Sequence, residues 1–492
     1  MDPDPNTVMC LLDRRVPLVN EVTDVMKERG WSMHLDGEAI SAACAGIRDW
    51  KELEKARQRA TLAEIRRVRA DQAAAEAVVR ERRASKPPSA VTKFAPDAHL
   101  CEVLDGIEPD PRVVAVPGLS YFGLRLSSTQ PPGDNMEDTS VAGADHNILV
   151  LYFGSYRPGI PSMGMGGFYL VYDAWADSLS AIPQLPPSWP LCGSIASGVL
   201  GVLRHALPSD YVLAELVLTG DLPKATLWTW WSSGPLARRW IDKSVILPPE
   251  VCTPTAYDGN MFCADTIFSF GTDTLCWVDL LTGILTCNML APEPVFQFIP
   301  LPEGCSIRQL PRLQHGRQVP EECRSMCCGN DGLIRFVCID GYHQGRPINI
   351  NENVFLRTWS LTPNLKEWKQ EAAFCIGDLW SDTTYLKLPP LTPTWPVQSI
   401  IQDDVVFLYL ADTMSMFAHA QNTEQYMVGI NVQLRQAFSL FKFPAESTFL
   451  PRIFPSNFTS YLNMRTQWNE LLREKREIEL IEMWDNEMTS FE

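Results

Sequence analysis

Four cysteines lie within a short stretch of the sequence and raise the question of a zinc site. The cluster consists of Cys323, Cys327, Cys328 and Cys338, with His315 and His343 nearby. Zinc needs four thiolate or imidazole ligands that converge tetrahedrally, usually from paired knuckles. Cys327 and Cys328 are adjacent, so a strand would point them to opposite faces. The pattern favours buried thiols that act as small hydrophobic side chains, and we predict no metal.

An acid pair, Asp403 and Asp404, is a second candidate for chemistry. Two carboxylates act as general acid and base only when they face a substrate a few ångströms apart. This pair directly precedes the apolar run 405–407, as a solvated turn would. The glycine-rich stretch 162–167 precedes a strand, whereas a phosphate cradle needs the N–H groups of a helix. No nucleophile elbow, zinc-protease helix or dinucleotide fingerprint occurs, so we predict no catalytic residue and no cofactor.

The stretch 268–285 is the most informative part of the chain. It reads as two short apolar strands around a tight turn, with Trp277 and Asp279 on one strand face by the two-residue period. Asp279 is able to accept backbone N–H groups two or three residues on, and Gly283 is able to take a positive φ. These residues and Trp359 are predicted to be structural, as the turn chemistry of a repeated antiparallel sheet.

Composition points to the same class. The 492 residues include 38 prolines and 15 tryptophans. Proline is excluded from helix interiors and central strands, so it indicates many loops and edges. Tryptophan suits the space between sheets. We predict a loop-rich, mainly β protein.

One tryptophan group has an alternative interpretation. Trp228, Trp230 and Trp231 place two rings on one strand face and one on the other. Core filling is the default interpretation, and an exposed aromatic spot that binds a partner is the alternative.

Charge and targeting signals limit which partners and which cellular compartment are expected. The net charge of −17 opposes binding to nucleic acid or to an acidic membrane surface. No basic segment followed by an apolar run opens the sequence, and no apolar run approaches the length of a membrane span. We therefore expect a cytoplasmic or nuclear protein whose cysteines stay reduced.

The chain divides into five predicted regions. Residues 1–46 form a segment with a short strand and a helix, 47–86 a long charged helix, and 87–144 a linker with the first strands. Residues 145–455 form the β domain, and 456–492 an acidic C-terminal helix. The long helix carries eleven Lys and Arg against seven Asp and Glu on a thin apolar stripe, which indicates a solvated or paired helix. Self-association through 47–85 as a coiled coil, and pairing with the acidic C-terminal helix, are two hypotheses for it.

A loose repeat indicates the architecture of the β domain. Apolar strands are followed by a Leu-Pro or Phe-Pro step at 185–186, 247–248, 301–302, 388–389 and 443–444. Units of this size hold about four strands, which is the content of one propeller blade. We predict a β-propeller-like array of antiparallel blades with helical N- and C-terminal extensions.

Residues 276–285, with the sequence Cys-Trp-Val-Asp-Leu-Leu-Thr-Gly-Ile-Leu, resemble the central motif of a plant family numbered 1618 among domains of unknown function. Further matches are 298–302, 324–326, 332–337, 356–359 with Trp368, and the opening strand 10–13. The resemblance covers roughly 145–445. It implies a plant origin and a propeller-like fold, and it brings no assigned catalytic residues. The blade rhythm is also similar to that of propellers found behind F-boxes, although no F-box-like helices precede it.

These observations predict a protein-interaction module with an unknown protein partner. The alternative is a propeller hydrolase or lyase with its site in the central channel. Such a site needs charged residues that converge on the innermost strands with a metal or a histidine, whereas the candidate inner strands carry mainly Val, Phe, Leu and Trp.

Overall fold

The computed structural model describes most of the chain. The described residues are 11–85, 91–96, 98–114, 119–127, 139–153, 167–185, 199–218, 222–252, 262–305, 320–340, 354–379, 395–411, 425–443, 453–454, 458 and 461–462. The His315 and His343 side chains, the loop 162–166 and most of the predicted C-terminal helix lie outside these residues.

The part that precedes the blades contains short strands and four helices. They are β1 (Leu11–Asp13), β2 (Leu18–Asn20), α1 (Glu21–Glu28), α2 (Gly37–Cys44), α3 (Trp50–Ala84), β3 (Thr92–Phe94), α4 (Ala98–Asp105), β4 (Ile107–Arg112) and β5 (Leu119–Leu126).

Five blades of four antiparallel strands follow, and within each blade the chain moves outward through strands a, b, c and d. In blade 1, β3 adds a fifth strand that is parallel to the d strand. Blade 1 contains β6 (Ser140–Asp145), β7 (Ile148–Phe153), β8 (Phe168–Asp173) and β9 (Ser178–Pro183). Blade 2 contains β10 (Gly201–Arg204), β11 (Tyr211–Leu218), β12 (Lys224–Trp231) and β13 (Trp240–Ile246). Blade 3 follows helix α5 (Pro249–Cys252) and is β14 (Thr266–Phe270), β15 (Thr274–Asp279), β16 (Gly283–Asn288), β17 (Phe296–Pro300). Blade 4 contains β18 (Arg324–Cys328), β19 (Ile334–Asp340), β20 (Phe355–Leu361) and β21 (Trp368–Cys375), and helix α6 (Ile376–Leu379) follows it. Blade 5 contains β22 (Trp395–Gln402), β23 (Val405–Ala411), β24 (Gln425–Asn431) and β25 (Gln436–Phe443).

The blades pack face to face, because central strands such as β7, β8 and β15 bury apolar side chains on both faces. In β15, Leu275 and Trp277 belong to the core that blade 3 shares with blade 2. Cys276 and Val278 point the other way and pack against Phe336 of blade 4. Side chains that alternate along a strand therefore fill two successive inter-blade cores.

A sixth, mixed sheet closes the ring. It contains β4, β5, β1, β2 and the C-terminal strand β26 (Ile453–Phe454). Strands β1 and β2 both pair parallel to β5, and β1 also pairs antiparallel to β26. One face, with Leu12 and Phe122, belongs to a core shared with blade 1. The other face, with Leu11 and Ile453, packs against Phe407 of blade 5. The a strands β6, β10, β14, β18 and β22 lie side by side around the axis.

The predicted propeller-like array of antiparallel blades is confirmed, with two differences from the sequence interpretation. The ring extends beyond 145–455, because it takes in strands from 11–20 and 107–126. Of the five predicted Leu-Pro and Phe-Pro steps, those at 247–248 and 301–302 are fully described, and each directly follows a d strand. Turns in which two apolar residues precede Asp or Asn do not share one position in the blade: Asp173 and Asn431 end c strands, whereas Asp279 ends a b strand at the opposite end of its blade.

Two blade junctions are tied by the same device on the outermost strands. The indole N–H of Trp240 in β13 donates to the carbonyl of Pro183 at the end of β9, at 2.7 Å. Trp368 in β21 donates in the same way to Pro300 at the end of β17, at 2.8 Å. Each bond joins the d strand of one blade to the d strand of the blade before it.

Helix α3 forms a small helical layer with α1 and α2. Asp49 caps its first turn through the Glu52 N–H. Its C-terminal half buries Val68 and Val79, and Val79 packs on the apolar side of α1. None of the helices in the described part of the chain combines the length and apolarity that crossing a membrane requires.

Candidate functional site

The b–c turn of blade 3 contains the motif singled out from the sequence. Asp279 accepts the Leu281 N–H at 2.8 Å, two residues on as predicted, and also the Cys263 N–H at 3.0 Å. Gly283 is required for a different reason than the predicted positive φ. A Cβ at Gly283 would overlap the Ile299 carbonyl oxygen, so the close approach of β17 excludes a side chain.

This turn is tied to blade 4 by a buried arginine. Arg324 in β18 is 1% exposed, and its guanidinium donates to the carbonyl oxygens of Leu280, at 2.7 Å, and of Cys305. The guanidinium also lies over the ring of Phe336. Asp279 therefore fixes the turn of blade 3, Arg324 ties that turn to blade 4, and Trp359 packs in the core between the two blades.

The cysteine cluster does not converge. Cys323 packs in the core between blades 4 and 5, whereas Cys338 packs between blades 3 and 4 beside Cys305. Burial raises the pKa of the Cys327 thiol, and raises that of Cys328 to about 11, so both stay protonated at neutral pH. Within the described residues no group of three His, Cys, Asp or Glu side chains is placed to hold a metal ion.

Polar side chains meet instead where the a–b turns of the blades surround the axis. Asp145, at the end of β6, accepts the Arg204 N–H of blade 2 and the Ser269 hydroxyl of blade 3, both at 2.6 Å. The His146 Nδ1 atom lies 2.7 Å from the same carboxylate. The carboxylate is 5% exposed and joins three blades. We call this end of the ring, with its a–b and c–d turns, the turn end.

The Asp145 cluster contains the residue types of a catalytic triad in an order that does not suit one. A nucleophilic serine needs the imidazole between its hydroxyl and the carboxylate. Here Ser269 donates directly to the carboxylate oxygen that the His146 Nδ1 atom also contacts, so the imidazole does not lie between the hydroxyl and the carboxylate. The arrangement serves to hold the blades together.

The acid pair predicted as a solvated turn joins blades 4 and 5. Asp403 accepts the Asn330 N–H and side-chain amide, both at 3.0 Å. Asp331 binds Arg335 through two hydrogen bonds of 2.7 and 2.6 Å. Residues 329–332 form the hairpin loop between β18 and β19, and a side chain at Gly329 would overlap Arg335. Only Asp404 matches the prediction, with a side chain that is 56% exposed.

The Asp331–Arg335 pair predicts a pH effect that a single substitution isolates. The two hydrogen bonds from Arg335 lower the pKa of Asp331 below its ordinary value of 3.8. Its stabilising effect is therefore complete above pH 3.8 and is lost as the pH falls further. Because the carboxylate is 45% exposed, we expect Asp331→Asn to lower the free energy of unfolding by at most about 1 kcal/mol at neutral pH.

Urea unfolding of both proteins across the acid range provides the measurement. The difference between wild type and Asp331→Asn should shrink towards zero below pH 3.8. A difference that stays constant over that range would show that the carboxylate charge has no part in the pair.

Large apolar side chains stand exposed on the turns of the same end. Each is between 43% and 67% exposed and lies in an a–b or c–d turn. They are Trp175 in blade 1, Leu207 and Leu236 in blade 2, Leu290 and Val295 in blade 3, and Leu434 in blade 5. We call these six side chains the apolar rim. The sequence interpretation did not identify them, because one apolar residue in a turn gives no periodic signal.

The tryptophan group lies elsewhere. Trp230 is 3% exposed and stacks edge-on against Trp240, which places it in the core between blades 1 and 2. Trp228 is partly buried, and Trp231 is partly buried on the opposite strand face beside His205. None of the three forms an exposed aromatic spot. Trp277 and Trp359 are likewise buried, in successive inter-blade cores.

Fold and site together define the class: a β-propeller-like ring with a polar, apolar-rimmed turn end. Residues 277–407 match the family model described as "Protein of unknown function (DUF1618)". That range runs from blade 3 into blade 5 and contains Arg324 and Trp359. The match supports the family resemblance over these blades. No curated protein matches the chain.

Solved propeller structures show detectable similarity to the chain. The WD40 domain of SCAP from fission yeast is 12% identical, over 65% of this chain and 70% of that one, with a TM-score of 0.27. The C-terminal WD40 domain of Sif2 is 8% identical, over 70% and 81%, with a TM-score of 0.30. The β-propeller domain of the Trilobed protease from Pyrococcus furiosus is 9% identical, over 62% and 94%, with a TM-score of 0.27. The fold assignment rests on the strand order and pairing of this chain.

Proposed function

We propose that the protein is a non-catalytic interaction module that binds a protein partner on the turn end of its ring. The observation that carries the proposal is the apolar rim, whose side chains come from four blades and face one end of the ring. Exposed apolar side chains grouped on a rigid scaffold are typical of protein-binding surfaces.

Charge at the axis defines the chemistry of the partner. The a–b turns at 145–147, 204–210, 271–273, 329–335 and 403–404 contain six aspartates and two arginines. The partner that fits is a segment in which Lys or Arg side chains stand next to apolar ones. The basic groups lie over the acidic axis, and the apolar groups contact the rim.

The same charge argument supports a partner that is a protein. With a net charge of −17 and an acidic axis, nucleic acid and acidic membrane surfaces are disfavoured. A cytoplasmic or nuclear location, a plant origin and a propeller of the F-box-associated type belong to this proposal. The rival function, a hydrolase or lyase in the channel, would need a base free to accept a proton, and the Asp145 carboxylate already accepts hydrogen bonds from two other blades.

Selection from a random peptide library displayed on phage tests the docking surface. We expect wild-type protein to enrich peptides with Lys or Arg beside Leu, Phe or Trp. The triple variant Trp175→Ser, Leu207→Ser, Leu434→Ser should bind those peptides at least about tenfold more weakly. Ile246→Ser with Phe438→Ser, at residues exposed on outer strands, provides a control that should bind like wild type.

Affinity purification from plant tissue extends the test to natural partners. The proteins captured by wild type should also be captured by the Ile246 and Phe438 control and lost with the rim variant. Peptides and proteins that bind the rim variant as well as the wild type would contradict the proposal, and turnover in a hydrolase substrate screen would favour the rival.

A further inference from the structure

Two buried thiols meet at the junction of blades 3 and 4. Cys305 lies just beyond the outer strand β17, and Cys338 lies in β19. They are 2% and 0% exposed, and both belong to the core between the two blades. Their side chains are hydrogen-bonded to each other. Because the two sulfur atoms already lie in contact, a disulfide needs only a small movement of the side chains.

Two arginines flank this pair of thiols. In the strand ladder of blade 4, Cys338 is paired with Arg324 on one side and with Arg357 on the other. The Arg324 guanidinium donates to the Cys305 carbonyl oxygen, and its buried Nε atom has no hydrogen-bond partner among the described residues. Arg357 forms an ion pair of 3.0 Å with Asp340, and the Cys338 sulfur atom lies 3.1 Å from the same carboxylate. The thiols therefore lie beside two positive charges and one negative charge.

These surroundings favour the thiolate on Cys305. The hydrogen bond from the Cys338 thiol is the main cause that lowers the pKa of Cys305 below its ordinary value of 9.0. Burial and the Asp340 carboxylate oppose this change in pKa, and the charges of Arg324 and Arg357 support it. The same hydrogen bond and burial raise the pKa of Cys338, so that thiol keeps its proton. A thiolate beside positive charge is the reactive form of cysteine.

The group reaches solvent at one edge. The side chains of Arg357 and Asp340 are 36% and 26% exposed, whereas the two cysteines are buried. A thiol pair behind a partly exposed ion pair suits a small, neutral oxidant of the hydroperoxide class better than a bulky disulfide reagent.

We propose that Cys305 and Cys338 are a peroxide-sensitive pair that closes into a disulfide between blades 3 and 4. The Cys305 thiolate attacks one oxygen of hydrogen peroxide, the O–O bond breaks, and the released hydroxide takes up a proton to form water. The sulfur atom of Cys338 then attacks the sulfenic acid on Cys305. The S–S bond forms, the S–O bond breaks, and the hydroxyl leaves with the Cys338 proton as a second water. One peroxide is reduced to two water molecules while two thiols are oxidised.

The bond would lock a junction that the fold already holds by hydrogen bonds. It closes the chain from 305 to 338, which contains the connection between blades 3 and 4, into a covalent loop. Arg324 ties the same two blades through the Leu280 and Cys305 carbonyl oxygens.

Mild treatment of the native full-length protein with hydrogen peroxide tests the pair, after thiol blocking, digestion and mass spectrometry. We expect a cross-linked peptide that contains Cys305 and Cys338. The Cys327 and Cys328 thiols provide an internal control and should stay reduced, because burial raises the pKa of both. In Cys338→Ser, dimedone should label the sulfenic acid on Cys305. Cys305→Ser should leave Cys338 reduced.

Two substitutions at the exposed edge test the role of charge and act in opposite directions. Arg357→Gln removes a positive charge beside the thiolate and should slow disulfide formation at pH 7 about threefold. Asp340→Asn removes the negative charge and should speed it about threefold. Arg435→Gln, at an exposed residue of blade 5, makes the same charge change as Arg357→Gln and should oxidise at the wild-type rate.

Two results would overturn the proposal. One is a folded protein in which Cys305 and Cys338 are oxidised no faster than Cys327 and Cys328, with the cross-linked peptide appearing only in urea. The other is an oxidation rate that neither Arg357→Gln nor Asp340→Asn changes, because the surrounding charges would then have no effect on the thiolate.

Discussion

Replacing Trp277 by alanine is expected to lower the free energy of unfolding by about 3–5 kcal/mol. The indole is 0% exposed and fills the core between blades 2 and 3, where its ring lies 5.6 Å from that of Phe296. Alanine would leave a cavity that the close-packed strands on both sides cannot fill. Trp277→Phe should cost less, because it keeps much of the buried volume.

Urea unfolding followed by circular dichroism measures this effect. Trp175→Ala provides a matched control at a tryptophan that is 60% exposed, and it should stay within about 0.5 kcal/mol of wild type. Equal effects of the two substitutions would show that Trp277 is not enclosed between two blades.

Replacing Ile453 by aspartate should destabilise the ring by about 4 kcal/mol or more. Ile453 is 1% exposed and packs with Leu11 of β1 and Phe407 of blade 5. A carboxylate there would lie in an apolar core at the contact between blade 5 and the sixth sheet. The pairing of β1 with β26 should be lost together with the burial.

Thermal unfolding and hydrogen exchange of β1 give the readout. Phe438→Asp, at a residue that is 51% exposed on the outer strand of blade 5, should change stability by less than about 1 kcal/mol. Wild-type stability in the Ile453→Asp protein would show that strand β26 contributes nothing to the closure of the ring.

The blades were predictable from the sequence because their signals are local. The predicted Leu-Pro steps at 247–248 and 301–302 follow d strands, and alternation places Trp277 and Val278 in different cores. Which strand of a blade each turn follows was not predictable from the sequence. An apolar pair followed by Asp or Asn suits any tight turn, so Asp173 and Asp279 read alike although they lie at opposite ends of their blades.

The sixth sheet and the turn end depend on contacts between distant residues. Strands of two or three residues, such as β1 and β26, carry no periodic pattern, and their pairing joins Leu12 to Phe454 across most of the chain. In the same way, nothing near Asp403 in the sequence identifies Asn330 as its partner. A candidate site assembled from single turn residues of several blades becomes visible only once the ring is known.

Disulfide trapping between positions 12 and 454 tests the closed ring most directly. Leu12 and Phe454 are paired residues of antiparallel strands and belong to the same core, so cysteines there should lie within bonding distance. Mild oxidation of the Leu12→Cys, Phe454→Cys protein should give one cross-linked peptide that contains both positions. Two cysteines that react with maleimide but never with each other would contradict a ring closed by these two strands.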